Sequence, residues 1–248
     1  MSTANKYGLI FLILWLFSWP VVGQEDTVNT PQFEIQEIQG QYDLIATDPL
    51  GYIYAVHKDE IFKMNSKGDT LYLQSTKQYG DIHSIDAAQS MRILVFFENQ
   101  QSIGFTDNTL SWHQSPRNFE SDKIAYPQAV CQSFFNNNLW VYDDATLSLL
   151  KLDKNLNIIQ RNENMPNMMR GSFDPLDMME RNDKLYVLDS SAGVYVFDLF
   201  GSLHRHYEIK GATQIDIKNE QLYYLKDNKI YRYKPLEAKQ KPLEVKGV

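Results

Sequence analysis

The sequence of 248 residues predicts an all-β fold, and three observations lead to that prediction. Aromatic residues that favour strands are frequent, with 15 Tyr and 13 Phe. A short apolar segment recurs five times at similar spacing, and no long amphipathic helical pattern interrupts the series. Turns rich in Gly, Asn and Asp separate the segments, as expected for hairpins.

Each recurrence is predicted to hold four short strands. The most apolar strand of each unit is the second, at residues 53–56, 93–96, 139–142, 185–188 and 222–225. The first strands are predicted at 44–47, 83–87, 129–133, 176–180 and 213–217. The third strands follow at 61–64, 102–105, 147–152, 193–197 and 229–233. The fourth are expected at 70–74, 110–113, 156–160, 202–209 and 242–245.

Four antiparallel strands in each unit of about 40 to 45 residues are typical of a β-propeller blade. The second strands are spaced by 40, 46, 46 and 37 residues, so the sequence predicts five four-stranded blades. A solenoid would need fewer strands per repeat and would leave open ends. Residues 33–39 stand outside the five units. They are predicted to add a strand that closes the ring on the last blade, with a partial further blade, and so six blades, as the alternative.

The N-terminus has the pattern of a secretory signal peptide over residues 1–23. Lys6 precedes an apolar run at 9–19, and small or moderate residues at 21–23 precede the expected cleavage site. An uncleaved anchor is the alternative, but the run is shorter than a membrane span. We therefore expect a flexible leader at 24–32, a single propeller domain at 33–248, and an exported, periplasmic protein without a transmembrane span.

Charge and cysteine content exclude several classes of protein. The formal net charge of −7 disfavours nucleic acid and anionic lipid as partners. Cys131 is the only cysteine, so the chain forms no internal disulfide, and its apolar neighbours indicate a buried core residue.

Parts of this pattern resemble known propellers. Residues 48–56, 61–64 and 67–69 resemble a blade of the NHL-type propellers. The segments 82–86, 93–97, 106–110, 139–143 and 194–201 resemble a group of exported propeller-like proteins from Gram-negative bacteria that carry a type IX secretion system. The resemblance implies a propeller fold and an envelope location, associated in some cases with the outer membrane, and it includes no catalytic motif.

Two insertions flank the third repeat, at 115–128 and 161–174. Loops from fourth to first strands and from second to third strands are expected on one face of a propeller, so both insertions would be exposed together. They contain apolar side chains beside arginine, which suit an adaptable protein-binding surface. The candidate binding residues are Arg117, Phe119, Tyr126, Met165, Met168, Met169, Arg170 and Phe173. The alternative is that the apolar members fold back onto the blade.

Three carboxylates on predicted first strands are candidate catalytic residues under a second hypothesis. Asp86, Asp177 and Asp216 would surround the central channel, where paired carboxylates could act as acid and base in a glycosidase- or lactonase-like hydrolase. Solvated or turn-capping aspartates are the alternative. His204 and His206 lack a third ligand for a metal. Since no P-loop, GxGxxG, HExxH, GxSxG or EF-hand pattern occurs, we predict neither a metal nor a cofactor.

Taken together, the sequence predicts a non-catalytic scaffold or adaptor, monomeric by itself, that binds another protein of the cell envelope. An accessory role beside outer-membrane secretion or gliding machinery is the finer expectation, from the resemblance alone. A hydrolase at the channel mouth and a small-ligand sensor are the alternatives.

Overall fold

The structure is a computed structural model that describes residues 38–120, 123–189, 191–227, 229–234 and 242–243. The predicted signal peptide, leader and most of the closing strand at 33–39 lie outside the described residues. Within the described part, the chain forms five antiparallel sheets whose strands are ordered in sequence from first to last. The prediction of a five-bladed β-propeller is confirmed.

The blades follow one another along the chain. Blade 1 comprises β1 (Leu44–Thr47), β2 (Ile53–His57), β3 (Glu60–Met64) and β4 (Thr70–Ser75). Blade 2 comprises β5 (Ser84–Gln89), β6 (Arg92–Phe97), β7 (Ser102–Thr106) and β8 (Trp112–Asn118). Blade 3 comprises β9 (Pro127–Gln132), β10 (Leu139–Asp143), β11 (Ser148–Leu152) and β12 (Ile158–Asn162). Blade 4 comprises β13 (Pro175–Arg181), β14 (Lys184–Asp189), β15 (Gly193–Phe197) and β16 (Leu203–Tyr207). Blade 5 comprises β17 (Gln214–Lys218), β18 (Gln221–Lys226) and β19 (Lys229–Arg232).

The fifth blade differs from the other four among the described residues. Its sheet has three strands, and a bridge between Tyr231 and Pro242 lies beside the third. Leu243 adds a backbone hydrogen bond to Ile230, at 2.8 Å. Pro242 begins the segment predicted as the fourth strand, so the structure places the start of that segment at the expected edge.

Short helical segments occupy the connections between strands. One α-helix, α1 (Met165–Met169), lies between blades 3 and 4, and 3₁₀ turns occur at Lys77–Tyr79 and Glu98–Gln100. Part of the first predicted insertion belongs to strands instead, because β8 extends to Asn118 and β9 begins at Pro127.

The core lies in the seams between neighbouring blades. Separate clusters of buried side chains join blades 1 and 2, blades 2 and 3, blades 3 and 4, and blades 4 and 5. The second strand of each blade contributes side chains to the seams on both sides of the blade, and it is therefore apolar at nearly every position. In β10, for example, all five residues are buried. The largest fully buried side chain is Trp140, in the seam between blades 3 and 4.

The turns between third and fourth strands repeat one geometry in blades 1 to 4. At each turn an Asn or Asp oxygen accepts hydrogen bonds from the backbone N–H groups two and four residues later, at 2.8–3.0 Å. These residues are Asn65, Asp107, Asp153 and Asp198. The third residue after each is in the left-handed region, and in blades 2 and 3 it is a leucine, Leu110 or Leu156. The repeat seen in the sequence is therefore also a repeat of local hydrogen bonding.

Candidate functional site

The first strands of all five blades line a central channel that contains a cavity of about 330 Å³. Asp86 on β5, Asp177 on β13 and Asp216 on β17 all lie in its wall. The structure thus brings together the three carboxylates that the sequence analysis placed around the channel.

Asp86 is held by backbone donors from two blades. One carboxylate oxygen, Oδ1, accepts the Ala88 N–H at 2.8 Å, and Oδ2 accepts the Gln132 N–H of blade 3 at 2.8 Å. The Gln132 side chain in turn accepts a hydrogen bond from Arg92, at 2.9 Å. Burial raises the pKa of Asp86, while the two backbone bonds oppose that rise. Since Oδ1 bonds within β5 and Oδ2 joins blade 2 to blade 3, Asp86 has a structural role in the described contacts.

Asp177 has fewer partners. Its Oδ1 accepts the N–H of the next residue, Met178, at 2.8 Å. Burial raises the pKa of Asp177 to about 7, and the nearby negative charge of Asp86 adds to the rise, which Arg181 opposes. This carboxyl therefore changes charge near neutral pH. Asp216 is exposed in the channel wall and accepts only the N–H of Ile217, at 2.8 Å, among the described contacts.

The face that carries the insertions is called here the insertion face. Three of its candidate binding residues are buried in the seams: Phe119, Met165 and Phe173 are 5%, 0% and 4% exposed. Phe173 packs edge-on against Tyr142, with ring centroids 5.1 Å apart. These three residues therefore follow the alternative in which apolar side chains of the insertions fold back onto the blade. They belong to the buried clusters between blades 2 and 3 and between blades 3 and 4.

The other candidates on the insertion face differ in exposure. Tyr126 and Met168 are 43% and 39% exposed, and Arg170 is exposed at the end of α1. Met169 packs partly against the core of blades 3 and 4. Arg117 lies on β8, half-buried, and donates a hydrogen bond to the Lys154 carbonyl at 3.3 Å. The Arg117 backbone pairs with Ile103 near the insertion-face end of β8, but its side chain points to the turn between the third and fourth strands of blade 3.

The opposite face consists of the turns between first and second strands and between third and fourth strands, and is called the turn face. It carries large apolar side chains that are at least half exposed, from four neighbouring blades: Leu50 67%, Met91 62%, Phe134 52%, Phe135 64% and Phe200 77%. These residues are at the tips of tight turns, so the strands behind them hold them in place.

Hydrogen bonds fix the turn that presents the two adjacent phenylalanines. The Phe134 N–H donates to Glu180 Oε1 at 2.9 Å, and the Arg181 guanidinium lies 5.8 Å from the Phe134 ring centroid. The Phe135 carbonyl accepts the Asn138 N–H at 3.1 Å. The turn is therefore anchored to blade 4 as well as to its own blade.

The turn face was not predicted from the sequence, because the predicted binding surface rested on the two long insertions. A signal was available, since Leu50, Phe135 and Phe200 are each followed directly by Gly or Asn within a turn. An apolar side chain in the middle of a tight polar turn has no strand to pack under it.

The described residues include neither a cluster of potential metal ligands nor a helix that could span a membrane. No group of three or more His, Cys, Asp or Glu side chains that could hold a metal ion occurs among them. His206 stacks on Tyr195, with ring centroids 4.2 Å apart. In the same part of the chain, no helix is long and apolar enough to cross a membrane.

No protein-family model and no curated protein matches this chain. Among solved structures, it is similar to a streptogramin B lyase, with a TM-score of 0.56 and 13% identity over 82% of this chain and 68% of the lyase. It is also similar to a protein of unknown function from Bacteroides caccae, with a TM-score of 0.55 and 14% identity over 73% of this chain and 68% of that one. The WD40 domain of Neurospora crassa Pan2 matches with a TM-score of 0.56 and 9% identity, over 78% of this chain and 62% of that chain. At these identities the likeness establishes the propeller fold alone.

Proposed function

We propose that this protein is a non-catalytic scaffold that binds another protein of the bacterial cell envelope through its turn face. The observation that carries the proposal is the set of five exposed apolar side chains on one face, Leu50, Met91, Phe134, Phe135 and Phe200. Large apolar side chains exposed on one face of a rigid ring favour an interaction site there. The insertion face exposes less apolar surface than the turn face, because three of its apolar residues are buried: Phe119, Met165 and Phe173.

The charge around these side chains favours a protein partner over a membrane. Exposed or half-exposed acidic residues occupy turns of the same face and outnumber its exposed turn lysines, Lys67 and Lys154: Asp69, Asp107, Asp153, Asp183, Asp198 and Glu220. Hydrogen bonds from Thr109 and Asn157 lower the pKa values of Asp107 and Asp153, respectively, so these groups stay ionised at neutral pH. An acidic border repels anionic lipid and suits an apolar patch bordered by Lys or Arg.

The periplasmic location is part of the proposal. It is supported by the N-terminal pattern of Lys6 and the apolar run at 9–19. The finer proposal, an accessory role beside outer-membrane secretion or gliding machinery, is supported by the resemblance of residues 194–201 and the other quoted segments to exported propeller-like proteins.

The test is crosslinked affinity purification of the tagged full chain from its native envelope, followed by mass spectrometry. The variant Phe135→Ser/Phe200→Ser alters the turn face, and Met168→Ser/Arg170→Ser alters the insertion face. Ile159→Ser, at a residue 54% exposed on an outer strand, is the matched control. We expect the turn-face variant alone to lose the captured envelope subunits.

Two outcomes would contradict this proposal. Loss of the subunits only in the insertion-face variant would move the binding surface to Met168 and Arg170. Retention in every variant, or recovery of no specific subunit, would exclude both faces.

A hydrolase remains the alternative function, because Asp86, Asp177 and Asp216 share one channel. One solved structure similar in fold is a streptogramin B lyase, but at 13% identity that activity is not carried over to this chain. Asp216→Asn and Asp177→Asn would abolish turnover of a glycoside or lactone under this alternative and leave partner capture unchanged.

A further inference from the structure

The central channel has the dimensions of a small ligand site. Its cavity of about 330 Å³ lies at the lower end of the range found for ligand pockets, roughly 300 to 1,000 Å³. First strands from all five blades contribute to its wall, so the site is as rigid as the ring itself.

The wall has an excess of negative charge without matching ion pairs. Asp86, Asp177 and Asp216 line the cavity together with one Arg, Arg181, which is on the same strand as Asp177. The Arg181 Nη1 donates to the Glu180 carbonyl at 2.8 Å, and the charge of Arg181 opposes the rise in the pKa of Asp177. The salt bridges found in the described part of the chain involve other carboxylates: those of Asp43, Glu98 and Glu120.

Asp177 is a half-buried carboxylate with one oxygen available to a ligand, and Asp216 is an exposed one. Both oxygens of Asp86 already accept backbone N–H groups, whereas one oxygen of Asp177 accepts no hydrogen bond from the described residues. The Asp177 side chain is half-buried in the channel wall, and burial raises its pKa to about 7. A cation placed beside this oxygen would relieve the unfavourable burial of charge.

The same cavity exposes apolar surface. Ile45 on β1 and Leu176 on β13 are 58% and 45% exposed, and Met179 on β13 also lines the cavity. An apolar group that covers these side chains would gain roughly 25 cal/mol for each Å² removed from water. A hydrated metal ion would leave these apolar side chains in contact with water, and the described residues offer no cluster of metal ligands.

We propose that the channel binds a small organic amine, whose cationic nitrogen contacts Asp177 and whose apolar body lies against Ile45 and Leu176. This site is separate from the turn face, so its failure and that of the proposed function are distinguishable. Partner capture should be unchanged in Asp177→Asn.

The test is calorimetric titration of the full chain at pH 8 with phenethylamine and with 2-phenylethanol, its neutral counterpart. We expect the amine to bind at least tenfold more tightly than the alcohol. Asp177→Asn should weaken amine binding at least tenfold and leave alcohol binding unchanged. Glu220→Gln, at an exposed carboxylate in a turn outside the channel, is the matched control.

Two further measurements separate charge from packing. Leu176→Ser should weaken phenethylamine binding and leave methylamine binding unchanged, because only the larger probe reaches the apolar wall. At pH 5.5 amine binding should weaken as Asp177 becomes protonated. His83, Asp86, Asp216 and Arg181 also face the cavity, so this pH effect must disappear in Asp177→Asn.

Equal affinity for the amine and the alcohol would overturn the proposal. So would amine binding that survives in a folded Asp177→Asn variant, or the absence of amine binding at millimolar concentration. Thermal melts of each variant show whether it is folded.

Discussion

At the scale of single residues, one carboxylate joins blades 3 and 4. Glu180 is 2% exposed; its Oε2 accepts the Trp140 indole N–H at 2.7 Å and its Oε1 accepts the Phe134 N–H at 2.9 Å. The Lys151 ammonium lies 4.5 Å from the Trp140 ring centroid, and burial lowers the pKa of Lys151. This buried polar group is satisfied by bonds from the neighbouring blade, which makes it specific to one arrangement of the two blades.

Glu180→Ala should lower the free energy of unfolding by about 3 kcal/mol, because two buried donors lose their acceptor. Glu180→Gln retains one acceptor oxygen and should lose less. Chemical denaturation of both variants beside Trp140→Phe measures this ordering. If Glu180→Ala matched the wild type, the two hydrogen bonds would contribute nothing to stability.

Asp177 should make the protein less stable as pH rises through neutrality. The unfolded pKa is about 3.9 and the folded pKa is about 7, so the folded state binds more protons between these values. The free energy of unfolding therefore falls as pH increases across this window. Asp177→Asn should be more stable than the wild type at pH 8, by on the order of 2 kcal/mol, and should differ less at pH 4. Thermal denaturation over this range tests the sign; a variant without a pH-dependent difference would contradict it.

At the scale of elements, the repeated turn between third and fourth strands presents the apolar tips. In blade 4, Asp198 Oδ1 accepts the N–H groups of Phe200 and Ser202, both at 2.9 Å. Phe200 at the centre of this turn is 77% exposed, so its position depends on backbone bonds instead of side-chain packing. Gly201 completes the turn in the left-handed region, with φ of 71°.

Asp198→Ala should lower the free energy of unfolding by about 1 kcal/mol, because two turn N–H groups lose their acceptor. Asp198→Asn keeps the side-chain oxygen and should restore most of that loss. Urea denaturation compares the two variants. An Asn variant as destabilised as the Ala variant would show that charge, and not the hydrogen bonds, matters at this turn.

Most elements could be predicted from the sequence because hydrophobicity and turn chemistry agree there. The predicted third strand of blade 4, at 193–197, is the observed β15. The fourth strand of blade 2 was predicted at 110–113 but runs over Trp112–Asn118. The physical reason is Leu110, which has a left-handed φ of 65° and is 1% exposed, so it is an apolar residue of the turn and not of the strand.

The candidate site was harder to predict than the fold. The carboxylates of the channel followed from their places on first strands, because topology alone brings first strands together. The exposure of Phe135 and the burial of Phe119 did not follow, because both are aromatic residues in polar surroundings. What separates them is whether a neighbouring blade covers the loop, and this depends on tertiary packing.

At the scale of the whole molecule, the described residues fill the seams of the ring unequally. Buried clusters of the described residues occupy four seams, and none spans blades 5 and 1. Strand β1 is at most half-buried along its length, whereas five of the six residues of β9 are buried. Leu71 and Leu73 on the outer strand of blade 1 are 44% and 56% exposed.

Hydrogen exchange should therefore be fastest where blades 1 and 5 meet. We expect amides of β1 and β17 to exchange well before those of β10 and β14, because local opening there exposes less apolar surface. Mass spectrometry of peptides from the exchanged full chain measures the order. Uniform protection around the ring would show that the molecule opens only as a whole.

Cys131 gives this ring an internal reporter. The thiol is fully buried in the seam between blades 3 and 4, and burial raises its pKa well above the usual value. No second cysteine competes with it, so a thiol reagent added to the native protein can react only when that seam opens. The rate of Cys131 modification therefore measures how often the seam joined by Glu180 and Trp140 opens in the native protein, without an added label.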